Sequence, residues 1–289
     1  MSSMPSGSTR RTPTAAPGLA RRRAVARLLP AGLVALAVLT ACTSEPARRP
    51  APAPPDKDDG GLQVGSEVVF EGDYETGDFT QWTRCQNRKY SDPCADYDGD
   101  FYGARIDDQE VRQGDYAARF EVRNGDDPSW GGGERSEVSR YEEAIVREGD
   151  ERWYEFSLKF DEDFPDVEGN FFIVMQWHAG DDSSPPMALE VDRKGRLVLA
   201  DNTSDDAEDV VIGDIVRGEW VDYVIHATFS RDAEEGWAEV WQDGELVVER
   251  HARANMTTER NYLKMGIYRA KQERSTAIVW QDGLRITAP

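Results

Sequence analysis

The sequence predicts an all-β protein: a jelly-roll sandwich of two packed antiparallel sheets, with a concave groove along one side. Three observations carry this expectation. Between residues 66 and 289, short segments alternate apolar and polar side chains. Tyr154, Phe156, Leu158 and Phe160, for example, oppose Trp153, Glu155, Ser157 and Lys159. Turn signals separate the segments; Asp192-Arg193-Lys194-Gly195 and Gln242-Asp243-Gly244-Glu245 read as hairpins. No stretch has sustained helical periodicity or a good cap, and no repeat suggests propeller blades.

The chain begins with a segment that is not part of that fold. Residues 1–41 contain six arginines and no acid, and Arg21-Arg22-Arg23 and Arg27 precede an apolar run from Leu28 to Leu39. The run is short for a bilayer span but fits the core of a signal peptide. Leu39-Thr40-Ala41-Cys42 follows and resembles a bacterial lipobox, which implies cleavage and lipidation at Cys42. Twin-arginine export is a looser match to the same arginines. Residues 42–65 are rich in Pro, Ala, Arg, Asp and Gly and read as a tether. The domain at 66–289 is therefore expected outside the cell, lipid-anchored to the outer face of the bacterial membrane or secreted.

Strands are expected at Glu67–Glu71, Gly103–Asp107, Ala117–Arg123, Ser136–Tyr141, Glu151–Phe160, Phe171–His178 and Met187–Asp192. Further strands are expected at Arg196–Ala200, Val221–Ser230, Ala238–Gln242, Glu245–Arg250, Leu263–Tyr268 and Ala277–Thr287. Cys85 and Cys94 are the other two cysteines, and in an exported protein they suit a disulfide closing a small loop. Without a nearby His they make a poor zinc site. Without its basic leader the chain carries −27 rather than −21. So acidic a body excludes general electrostatic binding of nucleic acid, and favours solubility as a monomer.

Three segments place chemistry on one face. In Phe171–His178, strict alternation puts Phe171, Ile173, Met175 and Trp177 toward a core and Phe172, Val174, Gln176 and His178 opposite. Arg135, Glu137 and Ser139 share a side of Glu134–Arg140, and Tyr262, Lys264, Gly266 and Tyr268 share a side of Tyr262–Arg269. Such a set suits elimination in a polymer of uronic acids. That reaction needs donors for the carboxylate, a base for the C5 proton and an acid for the departing C4 oxygen. Arg135 and Gln176 can serve the carboxylate, His178 or Tyr268 can be the base, and Tyr268 can be the acid. Lys264 and Arg269 would favour tyrosinate transiently, and His178 titrates near working pH. No cofactor is required. His226 lacks such partners and reads as structural; His251 reads as solvated.

Gly133-Glu134-Arg135-Ser136-Glu137-Val138, Gln176-Trp177-His178 and Tyr262-Leu263-Lys264-Met265-Gly266-Ile267-Tyr268 resemble the three signature strands of jelly-roll polysaccharide lyases. They are similar to alginate lyase motifs and closer to those of the heparin lyase I-like and glucuronan lyase group, whose fold is concanavalin-like. The resemblance spans 66–287. It implies Tyr268 as acid, and as base where C5–H and the C4 oxygen lie on the same face of the sugar. It implies His178 as base where they lie on opposite faces, Arg135 and Gln176 as carboxylate neutralisers, and Lys264 as a substrate contact. Arg140, Arg269 and Glu137 are further expected substrate contacts, with Glu137 alternatively orienting Arg135. Trp130, in Trp130-Gly131-Gly132-Gly133, is expected to stack on a sugar. One departure counts against alginate: Ser139 precedes Arg140 where the alginate motif has Arg directly.

An acidic polysaccharide is thus the expected partner, glucuronan-like first, heparin- or heparan-like second, alginate third. Two rival readings remain. A glycoside hydrolase would use paired carboxylates, and Glu190-Val191-Asp192 approaches such a motif, but Gly195 stands where a third acid is needed. A noncatalytic carbohydrate-binding lipoprotein would use the same face. A structural calcium ion is conceivable between Glu71 and Asp282.

Overall fold

In the computed structural model, the residues described are 62 and 64–289, apart from 100, 170, 181, 182, 272 and 273. The expected signal segment 1–41, Cys42 and nearly all of the tether at 42–65 lie outside the described residues. The alternating segments form strands, numbered here in chain order, and every pairing between them is antiparallel. The front sheet runs β12 (Val210–Asp214), β11 (Arg196–Asp201), β10 (Met187–Val191), β9 (Phe172–Ala179), β16 (Arg260–Arg269), β6 (Glu134–Arg140), β2 (Arg84–Asn87), β3 (Ser91–Pro93). A two-residue strand, β7 (Val146–Arg147), pairs with the start of β16. The back sheet runs β15 (Glu245–Ala252), β14 (Trp237–Gln242), β13 (Trp220–Thr228), β8 (Glu151–Phe160), β17 (Ala277–Ala288), β5 (Ala117–Val122), β4 (Ala104–Asp107), with β1 (Glu67–Gly72) on β17. Two three-residue 3-10 turns, Cys94–Asp96 and Glu142–Ala144, are the helical elements among the described residues. The all-β sandwich expected from the sequence is the fold observed.

One core lies between the sheets. Tyr154, Phe156, Leu158 and Phe160 of β8 are buried there, and Tyr154 meets Trp177 of β9 edge-on at 5.0 Å. Burying whole aromatic and branched side chains contributes roughly 1.5–3 kcal/mol each. Trp153 points to the other side of β8 and stacks on His226 at 3.8 Å. The ring nitrogens of His226 lie 2.7 Å from Glu239 and 2.8 Å from Glu151, which makes it the structural histidine expected. His251 is exposed.

Four short strands escape the sequence pattern: β2, β3, β7 and β12. The first two are polar, and the Cys85–Cys94 disulfide ties β2 to the turn after β3, as the cysteine spacing suggests. The expected calcium pair does not assemble. The Glu71 carboxylate lies 3.6 Å from Arg285, while buried Asp282 accepts the backbone N–H groups of Arg112 and Gln113 at 2.7 and 3.0 Å. No group of three or more metal-ligating side chains occurs among the described residues.

The largest correction concerns β9. Ile173 pairs with Glu190 and Met175 with Leu189, so Val174 is an extra residue relative to β10, a β-bulge. The bulge switches the alternation. Phe172, Val174, Met175 and Trp177 all enter the core, and Phe171 and Ile173 join Gln176 and His178 on the open face. Against β16 the same stretch sets Ile173 opposite Tyr268 and Met175 opposite Met265, which leaves Gly266 and Ile267 facing one residue. Gln281 of the back sheet donates its amide to the Val174 carbonyl at 2.8 Å, supplying a partner at the irregularity.

Gly266 stands at φ 127°, and a Cβ there would lie 2.3 Å from the Ser136 carbonyl oxygen. The glycine therefore serves close backbone approach between β16 and β6, and does not open room for a ligand. Gly266→Ala should destabilise the protein by roughly 1–3 kcal/mol from the dihedral alone, with the clash adding to it. Chemical denaturation checks this, and an unchanged midpoint would contradict it.

Candidate active site

Three neighbouring strands of the front sheet build the site, because directly opposed residues in an antiparallel pair project together. Tyr268 of β16 faces Arg135 of β6, Lys264 faces Gln176 of β9, and Tyr262 faces His178. Their open face forms a cleft of about 560 Å³. Trp130, Arg135, His178, Lys264 and Tyr268 all line it, together with Gln86, Phe171, Ile173, Glu190, Asn202 and Tyr262. Arg135, His178, Lys264 and Tyr268, far apart in sequence, thus meet in one cleft, while Gln176, expected beside Arg135 as a carboxylate neutraliser, does not line it.

Glu137 organises the floor. It is 2 % exposed and receives three donors. Gln176 Nε2 donates to its Oε1 at 2.5 Å, Lys264 Nζ to its Oε2 at 2.6 Å, and Arg135 Nη1 lies 3.4 Å from that oxygen. Burial lowers the Lys264 pKa, and the Glu137 charge opposes that shift. Glu137 is not among the residues that line the cleft and its carboxylate is taken up by these donors, so it holds them in place and is not a substrate contact. Gln176 is likewise fully buried beneath the cleft, its Nε2 engaged with Glu137 and its Oε1 without a hydrogen-bond partner.

Above that floor sit the groups able to move protons. The Tyr268 ring is held on one side by the Arg135 guanidinium, 4.0 Å from its centroid, and packs against Phe171 at 4.8 Å. Gly132 and Gly133 allow the preceding loop to approach. A Cβ on Gly132 would come 2.6 Å from Arg135 Nη2, and one on Gly133 would come 2.8 Å from the Tyr268 ring. Trp130, at the start of that loop, is 49 % exposed on the cleft rim, where a sugar can reach its face. His178 stacks on Tyr262, with ring centroids 5.1 Å apart. Its Nδ1 lies 2.8 Å from the Ala179 carbonyl oxygen. A carbonyl only accepts, so Nδ1 carries the proton and Nε2 keeps its lone pair. Burial, the largest cause, lowers the His178 pKa below its ordinary value, and nearby Lys264 lowers it further. The imidazole is thus neutral at neutral pH and able to accept a proton.

Two expected contacts are elsewhere. Arg269 follows Tyr268 and so points through the opposite face, where it is fully buried and paired with Glu134 at 2.9 Å. Arg140 alternates away from Ser139 and lies over Phe70 at 5.0 Å, bonded to the Gln81 carbonyl and to Glu143. Neither guanidinium reaches the cleft. Conversely, Gln86, Phe171, Ile173 and Asn202 line it without having been singled out, and Glu190 lines it without the acid partners a hydrolase motif needs.

Comparison with known proteins agrees with this architecture. The family 7 alginate lyase A1-II', solved with substrate, superposes with a TM-score of 0.55 at 17 % identity, over 75 % of this chain and 97 % of that one. Alginate lyase AlgAT5 of polysaccharide lyase family 7 gives 0.51 at 16 % identity, over 72 % and 95 %. At such identities the likeness is one of fold. No curated protein matches the chain in sequence. The family model for polysaccharide lyases, however, matches residues 74–285, a span that takes in every side chain of the cleft, and by that match the chain belongs to the polysaccharide lyase family.

Proposed function

We propose that the cleft cleaves uronate-containing polysaccharide by β-elimination, with glucuronan-like chains as first choice of substrate and heparin- or heparan-like chains as second. The observation that carries this reading is the placement of Arg135, Lys264, His178 and Tyr268 on one open face. Arg135 meets the sugar carboxylate and disperses the charge that builds on it as the C5 proton leaves. The base takes that proton, the C5–H electron pair becomes the C4=C5 double bond, and the C4–O bond breaks. Tyr268 gives its phenolic proton to the departing oxygen. Where C5–H and the C4 oxygen share a face, Tyr268 enters as tyrosinate, takes the C5 proton and passes it to the departing oxygen; where they oppose, His178 Nε2 takes the C5 proton and the Tyr268 phenol protonates the oxygen. Each of these groups is a side chain of the cleft, so the step needs no water nucleophile.

The folded domain, residues 66–289, tested against a panel of uronate polymers, should generate the ultraviolet absorbance of the conjugated double bond. Where His178 is the base, the acid limb of kcat/KM should lie below the ordinary histidine pKa, because the base works only when neutral and burial lowers its pKa. Chain cleavage without the absorbance would instead support hydrolysis. Binding without cleavage would support a carbohydrate-binding role.

A further inference from the structure

Most acids of this strongly acidic chain are kept out of the cleft. Among the described residues lining it, Glu190 is the one carboxylic acid, set in a wall that otherwise presents Arg135, Lys264, hydroxyls, amides and aromatic rings. It sits on β10 opposite Ile173, which in turn faces Tyr268, so it lies two strands from the phenol on the same face. That is roughly 10 Å across the sheet. Asn202 lines the cleft with it, donating its amide to the Pro185 carbonyl at 3.0 Å. Ser183 and Ser184 complete the flank.

An ionised carboxylate here would repel the polyanion that the cleft is read as holding. A neutral carboxyl would instead donate a hydrogen bond to it. We propose that Glu190 and Asn202 form a sugar-binding subsite in which Glu190 meets the uronate chain as the neutral acid, so that substrate binding is linked to proton uptake. The inference rests on the function proposed above and deepens it.

The surroundings of Glu190 support the neutral form. Burial first and the Asp209 charge second raise its pKa to about 7, against partial opposition from the neighbouring Asn202 amide. β9 contributes apolar Ile173 in register, and β11 contributes Val198. At the end of β11, Asp201 is engaged by Arg253 at 3.4 Å. The nearby loop acids Asp205, Asp206 and Glu208 are exposed to solvent. Across the cleft stand Arg135, Lys264 and His178, the last with its pKa lowered, so it remains neutral above its ordinary titration range. A bound uronate adds negative charge and shifts Glu190 further toward protonation.

The test is calorimetric titration of the mature chain carrying Tyr268→Phe. The probe is the tetrasaccharide of whichever uronate polymer the unmutated chain degrades fastest. Between about pH 6.5 and about pH 8, Kd should weaken about eightfold, the ratio of neutral fractions for a group with a pKa of about 7. Buffers of different ionisation enthalpy should report proton uptake on binding. Adding Glu190→Gln, which keeps the shape and a donor without the titration, should hold Kd constant within about twofold over the same interval. A pH dependence that survives Glu190→Gln, or a Kd that is flat while Glu190 is present, overturns the subsite alone. A chain that degrades no uronate polymer removes the function it rests on as well.

Discussion

Tyr268→Phe should abolish turnover while leaving polymer binding nearly intact. The substitution removes one oxygen and its proton, and keeps the ring on which Arg135 and Phe171 pack at 4.0 and 4.8 Å. Loss of a positioned general acid typically lowers kcat by about 100- to 10,000-fold. In the proposed mechanism the same phenol is also the base where C5–H and the C4 oxygen share a face, so the upper end of that range is expected for glucuronate-type substrates. The proposed substrate contacts, Arg135, Lys264 and the cleft rim, are retained in the variant, so Kd should change by less than about threefold. A kcat within tenfold of the parent would remove Tyr268 from the chemistry. Loss of binding together with turnover would make it a structural residue.

Glu137→Ala should be the most destabilising single change in the cleft. The carboxylate is buried and compensates Lys264, itself 3 % exposed, while taking a second hydrogen bond from Gln176. Removing one partner of a buried ion pair leaves the other charge without compensation, which costs about 3–5 kcal/mol. Urea denaturation of the single variant measures this loss. The double variant Glu137→Leu with Lys264→Met removes both charges and should recover most of the stability without recovering activity. If the single variant unfolds within about 1 kcal/mol of the parent, Glu137 is not the residue that holds the floor together.

Period-two alternation made the two sheets and the three motif strands legible. Arg135 with Glu137, and Lys264 with Tyr268, fall on the cleft side of their strands as that rule requires. The same parity, applied strictly, would have excluded Arg140 and Arg269, since each follows a cleft-facing residue. Treating them as contacts followed charge rather than geometry. The bulge at Val174 was not legible, because Phe171 to Met175 is apolar throughout and a phase change leaves no mark on an unbroken apolar run. Its consequence is large: Phe171 and Ile173 become cleft wall, and Phe172 and Val174 become core. Gln86 was missed for a different reason. It lies on a four-residue polar strand held by pairing with β6 and by the Cys85–Cys94 bond, neither of which hydrophobic patterning registers.

The elimination chemistry is tested most directly by the fate of water. Digestion in water labelled with heavy oxygen, followed by mass spectrometry of the fragments, distinguishes the two ways of breaking the glycosidic linkage, since hydrolysis adds water at C1 and elimination breaks the C4–O bond. Elimination moves a proton from C5 to the departing oxygen and consumes no water, so the fragments should carry no label at the cleaved linkage, and each new non-reducing end should be lighter by one water than its hydrolytic counterpart. Heavy oxygen incorporated at the cleaved bond, with saturated ends, would contradict the account.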